Sequence, residues 1–417
     1  MGKLSLALLA VMLVGFSAAG AELHASNTPE QIGPVAGTVS SLSCDFERND
    51  VCFAIHAQTF YKKVASSTWK KTVDFKVSQF VIHPDSDRVY LLESNRQRLW
   101  LSTDNGESFH FQSTIPWFGV EPKFVYSTSH PARLYVVAGV VVLRSNNNGK
   151  SWERVNVPRN YDLRDITESP INSTHLYLSA AERLTEHDYR YYLFLSNNNA
   201  SSWSVVEGFT NDQCSMQFQS DFSRDPVEVL SYRHCANGIY TLQEDGFHPT
   251  ADLGGVLQVA TTQNGILFAL TKDGRDHNKI VKSTNRGKSW FRVKGDVAKL
   301  QISLSHIAPT HNGQILTGTR GGGVYWCVPT GACRTANLGF QQANFANPVM
   351  VAGSDRKKLF TVVTSSQDYP NGYFLYSSMD SGKHWKDLSI SKGMNDSFRT
   401  LLVHPRDTDT LLIHPGS

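Results

Sequence analysis

Short apolar runs, broken by Pro, Gly, Asp, Asn and Ser, set the rhythm of this chain. Four segments share one grammar: FVIHPDSDRVYLL (80–92), FVYSTSHPARLYVV (124–137), ITESPINSTHLYL (166–178) and LLVHPRDTDTLLI (401–413). In each, an apolar run ends at Pro, a polar turn follows and a second apolar run begins. Pro cannot donate to a sheet ladder and belongs at strand ends, while Asp, Asn and Ser bond their own backbone in turns, so each segment predicts a hairpin. A third strand follows in RLWLS (98–102), YYLFLS (191–196) and YFLYS (373–377), and a fourth in WERVNV (152–157). Beyond the first residues no stretch carries a helical period. The pattern predicts an all-β chain built from units of four short strands.

Between the third and fourth strands one octapeptide recurs: STDNGESF (102–109), SNNNGKSW (145–152), SNNNASSW (196–203), STNRGKSW (283–290) and SMDSGKHW (378–385). The leading serines are 43, 51, 87 and 95 residues apart. The last two gaps are close to double the first two, so two copies have decayed, with TLQEDGF (241–247) and CVPTGAC (327–333) in their places. Upstream, KKVASSTW (62–69) keeps the length and the Trp. About eight units of roughly 45 residues result, which reads as a β-propeller of about eight four-stranded blades. A parallel β-helix repeats faster, and a sandwich does not repeat its sequence.

The third letter of the box is Asp in Asp104 and Asp380 but Asn in Asn147, Asn198 and Asn285. Either side chain offers a carbonyl-type acceptor to the turn's own N–H groups. A metal ligand or catalytic carboxylate would not survive that exchange, so the box is read as structural. Its other members follow: Ser102, Ser145, Ser196, Ser283 and Ser378 open the turn; Gly106, Gly149, Gly287 and Gly382 tolerate positive φ; and Phe109, Trp152, Trp203, Trp290 and Trp385 bury a ring beside the neighbouring unit.

The amino terminus departs from this pattern. Lys3, the apolar run LSLALLAVMLVGF and the small residues AAGA at 18–21 describe a secretory signal peptide over 1–21, followed by an extension over 22–39 and the propeller over 40–417. No later stretch approaches 18 unbroken apolar residues, so no membrane span is expected in the chain. Secretion to the cell exterior or the lumen of the secretory and endosomal pathway permits disulfides. Proximity favours Cys44–Cys52, Cys214–Cys235 and Cys327–Cys333 among the fifteen pairings that six cysteines allow. Sequons at Asn172, Asn199 and Asn395 are expected glycan sites. The net charge of +3 with 18% charged residues lacks the basic excess of a nucleic-acid binder.

The octapeptides resemble Asp-boxes, S-x-D-x-G-x-x-W, found in sialidases, other glycoside hydrolases and the sortilin family of sorting receptors. The context is similar to sortilins. Trp203 is followed by Cys214 and Cys235, then by the weak box QEDGF, and then by GVLQVATTQNGILFALTKDGRDHNKIVKSTNRGKSW (255–290). The likeness spans residues 40–300 and thins after about 310. It implies a propeller, alone or as part of a ten-bladed ring, that binds peptide or protein ligands in a central tunnel without catalysis or cofactor. The cysteine-rich module, membrane span and tail of that family are not found here, so its sorting functions do not carry over. Three expectations follow: the chain is a fragment of a longer receptor truncated at the carboxy terminus, or a shortened secreted relative, or its last two strands, which look like the start of another blade, close the ring against the N-terminal strands.

The resemblance also implies a site. Lys279, just ahead of the box at 283, matches a basic residue that receives a peptide carboxylate, with Ser303 and Leu304 as neighbours on the next unit's first strand. The alternative is an Asp-box glycoside hydrolase of the sialidase type on the same scaffold. It requires an arginine triad, a Tyr–Glu pair and an acid Asp, and the usual F/Y-R-I-P start is absent. His306 and His311 fall on opposite faces of a strand, so no metal site is expected.

Overall fold

The computed structural model describes residues 37–45, 51–64, 67–83, 87–94, 96–116, 122–127, 130–169, 172, 174–207, 210, 216–220, 228–232, 239–243, 246–251, 253, 255–262, 266–273, 277–293, 304–309, 314–321, 323–328, 333–337, 340, 350–352, 358–364, 373–380, 386–387, 398–403 and 411–415. The signal peptide, Cys214, Cys235, Asn395, Gly382, Trp385 and Ser303 lie outside them.

In chain order the strands are β1–β4 (residues 37–71), β5–β8 (77–114), β9–β12 (123–154), β13–β16 (162–205), β17–β20 (216–251), β21–β24 (256–292), β25–β28 (304–335), β29–β32 (350–387) and β33–β34 (398–415). Every pairing is antiparallel between consecutive strands, with one exception: β1 (Gly37–Asp45) starts alongside β26 (Ile315–Gly321), through Gly37 opposite Gly321 and Thr38 opposite Arg320, before turning to β2. The first strands of successive sheets lie against one another, β1 on β5, β5 on β9, β9 on β13, β13 on β17 and β21 on β25, so they form the inner wall of a β-propeller.

The blade count differs from the repeat count. Among the described residues six sheets are discrete four-stranded blades, not about eight, because the β1–β26 pairing fuses β1–β4 and β25–β28 into one eight-stranded sheet. That pairing also closes the circuit before the carboxy-terminal strands are reached. Among the described residues the N-terminal strand thus pairs with β26, while the last two strands, β33 and β34, pair with each other. The described residues do not form a ten-bladed ring.

The second strands show why the chain reads as short continuous apolar runs. In β6 (Val89–Glu93) and β10 (Leu134–Ala138) every residue is buried, without alternation. Each blade is covered on both faces by its neighbours, which removes the polar face that an open antiparallel sheet would show. The core is accordingly a series of layers between blades. Tyr90, Leu92 and Leu99 pack with Phe124, Leu134 and Val136, and Tyr135 and Val137 with Leu163, Ile166 and Leu178. Two expected disulfides, Cys44–Cys52 and Cys327–Cys333, join residues directly opposite on adjacent strands.

The repeated turn has one hydrogen-bond scheme. The Ser102 hydroxyl accepts the Gly106 N–H at 2.7 Å and donates to Asp104 Oδ1 at 2.6 Å, and that oxygen accepts the Ser108 N–H at 2.9 Å. Ser145, Ser196 and Ser283 do the same with Asn147, Asn198 and Asn285, donating to Oδ1 at 2.9, 3.0 and 2.9 Å. The difference lies in the second side-chain atom. Asp104 Oδ2 accepts from the Ser108 hydroxyl, whereas the three Asn Nδ2 atoms donate to the hydroxyls of Ser151, Ser202 and Ser289. A serine hydroxyl serves as donor or acceptor, so it absorbs the exchange of Asp for Asn. The aromatic closing the turn grips the preceding blade: Phe109 meets Phe60 edge-on at 5.7 Å, and the indole N–H groups of Trp152 and Trp203 donate to Ser113 Oγ at 3.0 Å and the Asn156 carbonyl at 2.7 Å.

Burial opposes ionisation of Asp104, but hydrogen bonds from Ser102, Ser108 and the backbone of Ser108 and Glu107 hold its carboxyl well below the usual range. A carboxyl depressed on folding stabilises the protein above its unfolded pKa, about 4, and loses that contribution as pH falls toward the folded value. Asp104→Asn therefore keeps the fold at neutral pH and flattens the acid limb of stability. Urea midpoints at pH 7 and pH 3 measure this, and an unchanged acid limb in the variant refutes the assignment.

Candidate ligand-binding face

The strand register separates two faces of the propeller. In β13 (Asp162–Glu168), β14 (Leu176–Arg183) and β15 (Tyr189–Ser196), Asp162 lies level with Ala181 and Tyr191, while Glu168 lies level with Leu176 and Ser196. Ser196 opens a box turn, so Glu168 sits on the box face. The start of the inner strand and the β14–β15 hairpin sit on the opposite face.

On that opposite face the inner strands share an irregularity. Pairing skips a residue between Val39 and Ser41, Val77 and Gln79, Leu163 and Asp165, Val256 and Gln258, and Leu304 and His306. A β-bulge of this kind adds an unpaired residue and re-aims its neighbours. The residue after the bulge clasps the next blade. Gln79 brackets Phe124, accepting its N–H at 3.0 Å and donating to its carbonyl at 3.3 Å, and Gln258 brackets Ile307 at 2.8 and 3.0 Å. Asp165 takes the Phe218 N–H at 2.8 Å and the Lys123 ammonium. Burial pushes the Asp165 carboxyl up, against the pull of Lys123 and the N–H groups of Phe218 and Ile166. Ser305 donates to the Val39 carbonyl at 2.9 Å and completes the circuit.

The bulged residue of β13 is Arg164, exposed at the inner rim. Its guanidinium lies 5.8 Å from the centre of the Tyr189 ring and 3.8 Å from Asp162. Tyr189 begins β15 and is followed by Arg190, Tyr191 and Tyr192, all partly exposed. Tyr192 donates to Glu182 at 2.7 Å and meets Tyr161 edge-on at 5.2 Å. This hairpin has strands of eight residues, against five in β6 and β7, so it stands further out on its face. A guanidinium held over an aromatic ring is a ready partner for a carboxylate, and the remaining rings offer apolar contact.

Of the residues expected to bind ligand, Lys279 and Leu304 are among the described ones. Lys279 is half-buried on β23 (His277–Ser283), opposite Thr271, and not on the inner strand. Leu304 is buried in a core cluster with Phe268, Leu270 and Ile307, so its side chain packs rather than faces a ligand. Arg164 escaped the sequence reading because it belongs to no repeat motif, and a bulge interrupts the two-residue alternation that would assign it a face. Asn172 and Asn199 are exposed on turns. Among the described residues no group of three His, Cys, Asp or Glu is placed to hold a metal, and no helix is long and apolar enough to cross a membrane.

No family model matches the chain, and no curated protein matches it. Solved structures do. The GH74 xyloglucanase from Xanthomonas campestris is similar over 85% of this chain and 68% of its own, at 13% identity and a TM-score of 0.57. The Niastella koreensis GH74 enzyme is similar over 92% of this chain and 70% of its own, at 11% identity and a TM-score of 0.60. Likeness at that identity establishes the β-propeller fold.

Proposed function

We propose that this chain is a secreted or lumenal, sortilin-like Asp-box β-propeller that binds peptide or protein ligands on the face opposite its box turns. The observation that carries the reading is Arg164: a half-exposed guanidinium at the bulge of an inner strand, resting on Tyr189. Lys279 stands four residues before Ser283, as Tyr192 does before Ser196, and is a further contact on the same face. The two disulfides suit an oxidising compartment.

The second reading is a glycoside hydrolase, to which the GH74 likeness lends a scaffold. Glycosidases work with two carboxyl groups flanking the bond to be cut. Of the inner-strand carboxylates, Asp165 and Glu168 are buried under cations, which supports binding over hydrolysis. The test is a peptide-library binding assay with Arg164→Ala alongside the parent, where about a tenfold loss of affinity is expected for removing a charged hydrogen-bond donor. Unchanged affinity in the variant removes Arg164 from the site, and turnover of a xyloglucan oligomer or a sialoside overturns the binding reading.

A further inference from the structure

A second cationic and aromatic cluster occupies the same face, on the β5–β8 blade. Glu93 ends β6 and is 6% exposed. Its Oε2 accepts the Trp100 indole N–H at 3.0 Å. Arg96 Nε stands 3.5 Å from the Glu93 carboxylate and Arg98 Nη1 4.0 Å, with side chains 65% and 43% exposed. Lys76 is exposed beside them, and its carbonyl accepts the Ser94 N–H at 2.8 Å, which fixes it against the hairpin. Phe75 stacks on Trp100 at 4.7 Å, and Phe111 on β8 (His110–Thr114), half-exposed, meets Trp100 edge-on at 5.8 Å.

The charges do not balance. One buried carboxylate faces two guanidinium groups, with Lys76 exposed at the neighbouring strand's start, and its shortest bond goes to the indole. Glu93 thus anchors the base of the cluster while two guanidinium groups remain turned to solvent. Phe111, half-exposed, stands against Trp100, whose indole is bound to the same carboxylate. Such a surface is complementary to carboxylates carried next to an apolar group.

We propose that the Lys76–Arg96–Arg98–Phe111 cluster is a docking site for an acidic peptide segment, with carboxylates on the two arginines and an apolar side chain against Phe111. The proposal rests on the peptide-binding reading above and adds the charge of the ligand. The probe is a fluorescein-labelled peptide alternating Asp and Glu around one Trp, measured by anisotropy beside a random-sequence peptide pool, a basic peptide of equal length and heparin. Tighter binding of the acidic probe is expected, weakening as salt rises. Arg96→Gln with Arg98→Gln should cost at least about tenfold, and Phe111→Ser a smaller factor.

Because the double variant leaves Glu93 short of cations, Arg96→Lys with Arg98→Lys serves as its folding control. It keeps the charge, loses the planar fork and should bind with intermediate affinity. Equal affinity of parent and glutamine variant for the acidic probe overturns the proposal. So does heparin binding without peptide binding. Peptides bound from the pool without acidic preference sink this proposal and leave the broader reading standing, whereas a pool from which nothing binds removes both.

Discussion

Glu168→Ala lowers the stability of the folded chain by about 3–5 kcal/mol, the usual cost of removing one partner from a buried ion pair. Glu168 is fully buried at the junction of two blades, where its Oε1 accepts Arg133 Nη1 at 2.8 Å and the Tyr135 hydroxyl at 2.6 Å. The Ser127 hydroxyl and His130 Nδ1 converge on Oε2. Alanine leaves the Arg133 charge, itself only 16% exposed, and a buried phenol without their acceptor. Burial and then the Glu168 charge already push the Tyr135 hydroxyl far above the ordinary phenol range. Urea unfolding followed by tryptophan fluorescence reads the effect. A midpoint within error of the parent would show that the junction is held by apolar packing alone.

Gly149→Ala is expected to be comparably damaging, at about 2–5 kcal/mol, from a left-handed backbone cost of about 1–2 and an overpacking cost of about 1–3. Gly149 has φ +82°, and a β-carbon there would lie 2.2 Å from Leu99 Cδ2 of the preceding blade. Leu99 is fully buried in the interblade layer that also holds Leu134 and Tyr90. The same position in the next blade already holds Ala200, at φ +68° and buried in the interblade layer. Ala200→Gly should therefore change little, because relief of about 1 kcal/mol in backbone strain is offset by about 0.8 kcal/mol of lost methyl burial. Thermal midpoints of the two variants make the comparison. If the two substitutions have equal effects, the Leu99 contact does not set the cost.

The strands were legible because each blade writes the same apolar runs and the same turn. The pattern from Phe80 to Leu92 forms β5 and β6, and the box from Ser102 to Phe109 forms the turn it implies. The residue roles inside the turn were legible too, since Asp and Asn fill one acceptor position in five described copies. The blade count was not. Counting repeats assumes that each unit stays separate, whereas two residues at the start of β1 settle on β26 and merge two units. Nothing in the letters Gly37 and Thr38 marks that partnership. The rim arginine was hidden for a related reason. Arg164 owes its position to a bulge, and a bulge is visible only once the partner strand is known. Glu168 shares this invisibility: a glutamate at the end of a hairpin run reads as solvent-facing until a neighbouring blade brings Arg133 and Tyr135 over it.

The closure of the circuit also sets an order on synthesis. Thr38 and its partner Arg320 are 282 residues apart in the chain. At about 5–20 residues per second, the N-terminal strand emerges roughly 14 to 56 seconds before the strand that will cover its start. During that interval its backbone N–H and C=O groups at Gly37 and Thr38 are an open sheet edge, of the kind that invites pairing with another chain. The blades that follow can stack on β1–β4 as they appear, since each contacts its predecessor, but none of them can cap that edge. The circuit between the first and last of these blades is therefore complete only once β26 has been made.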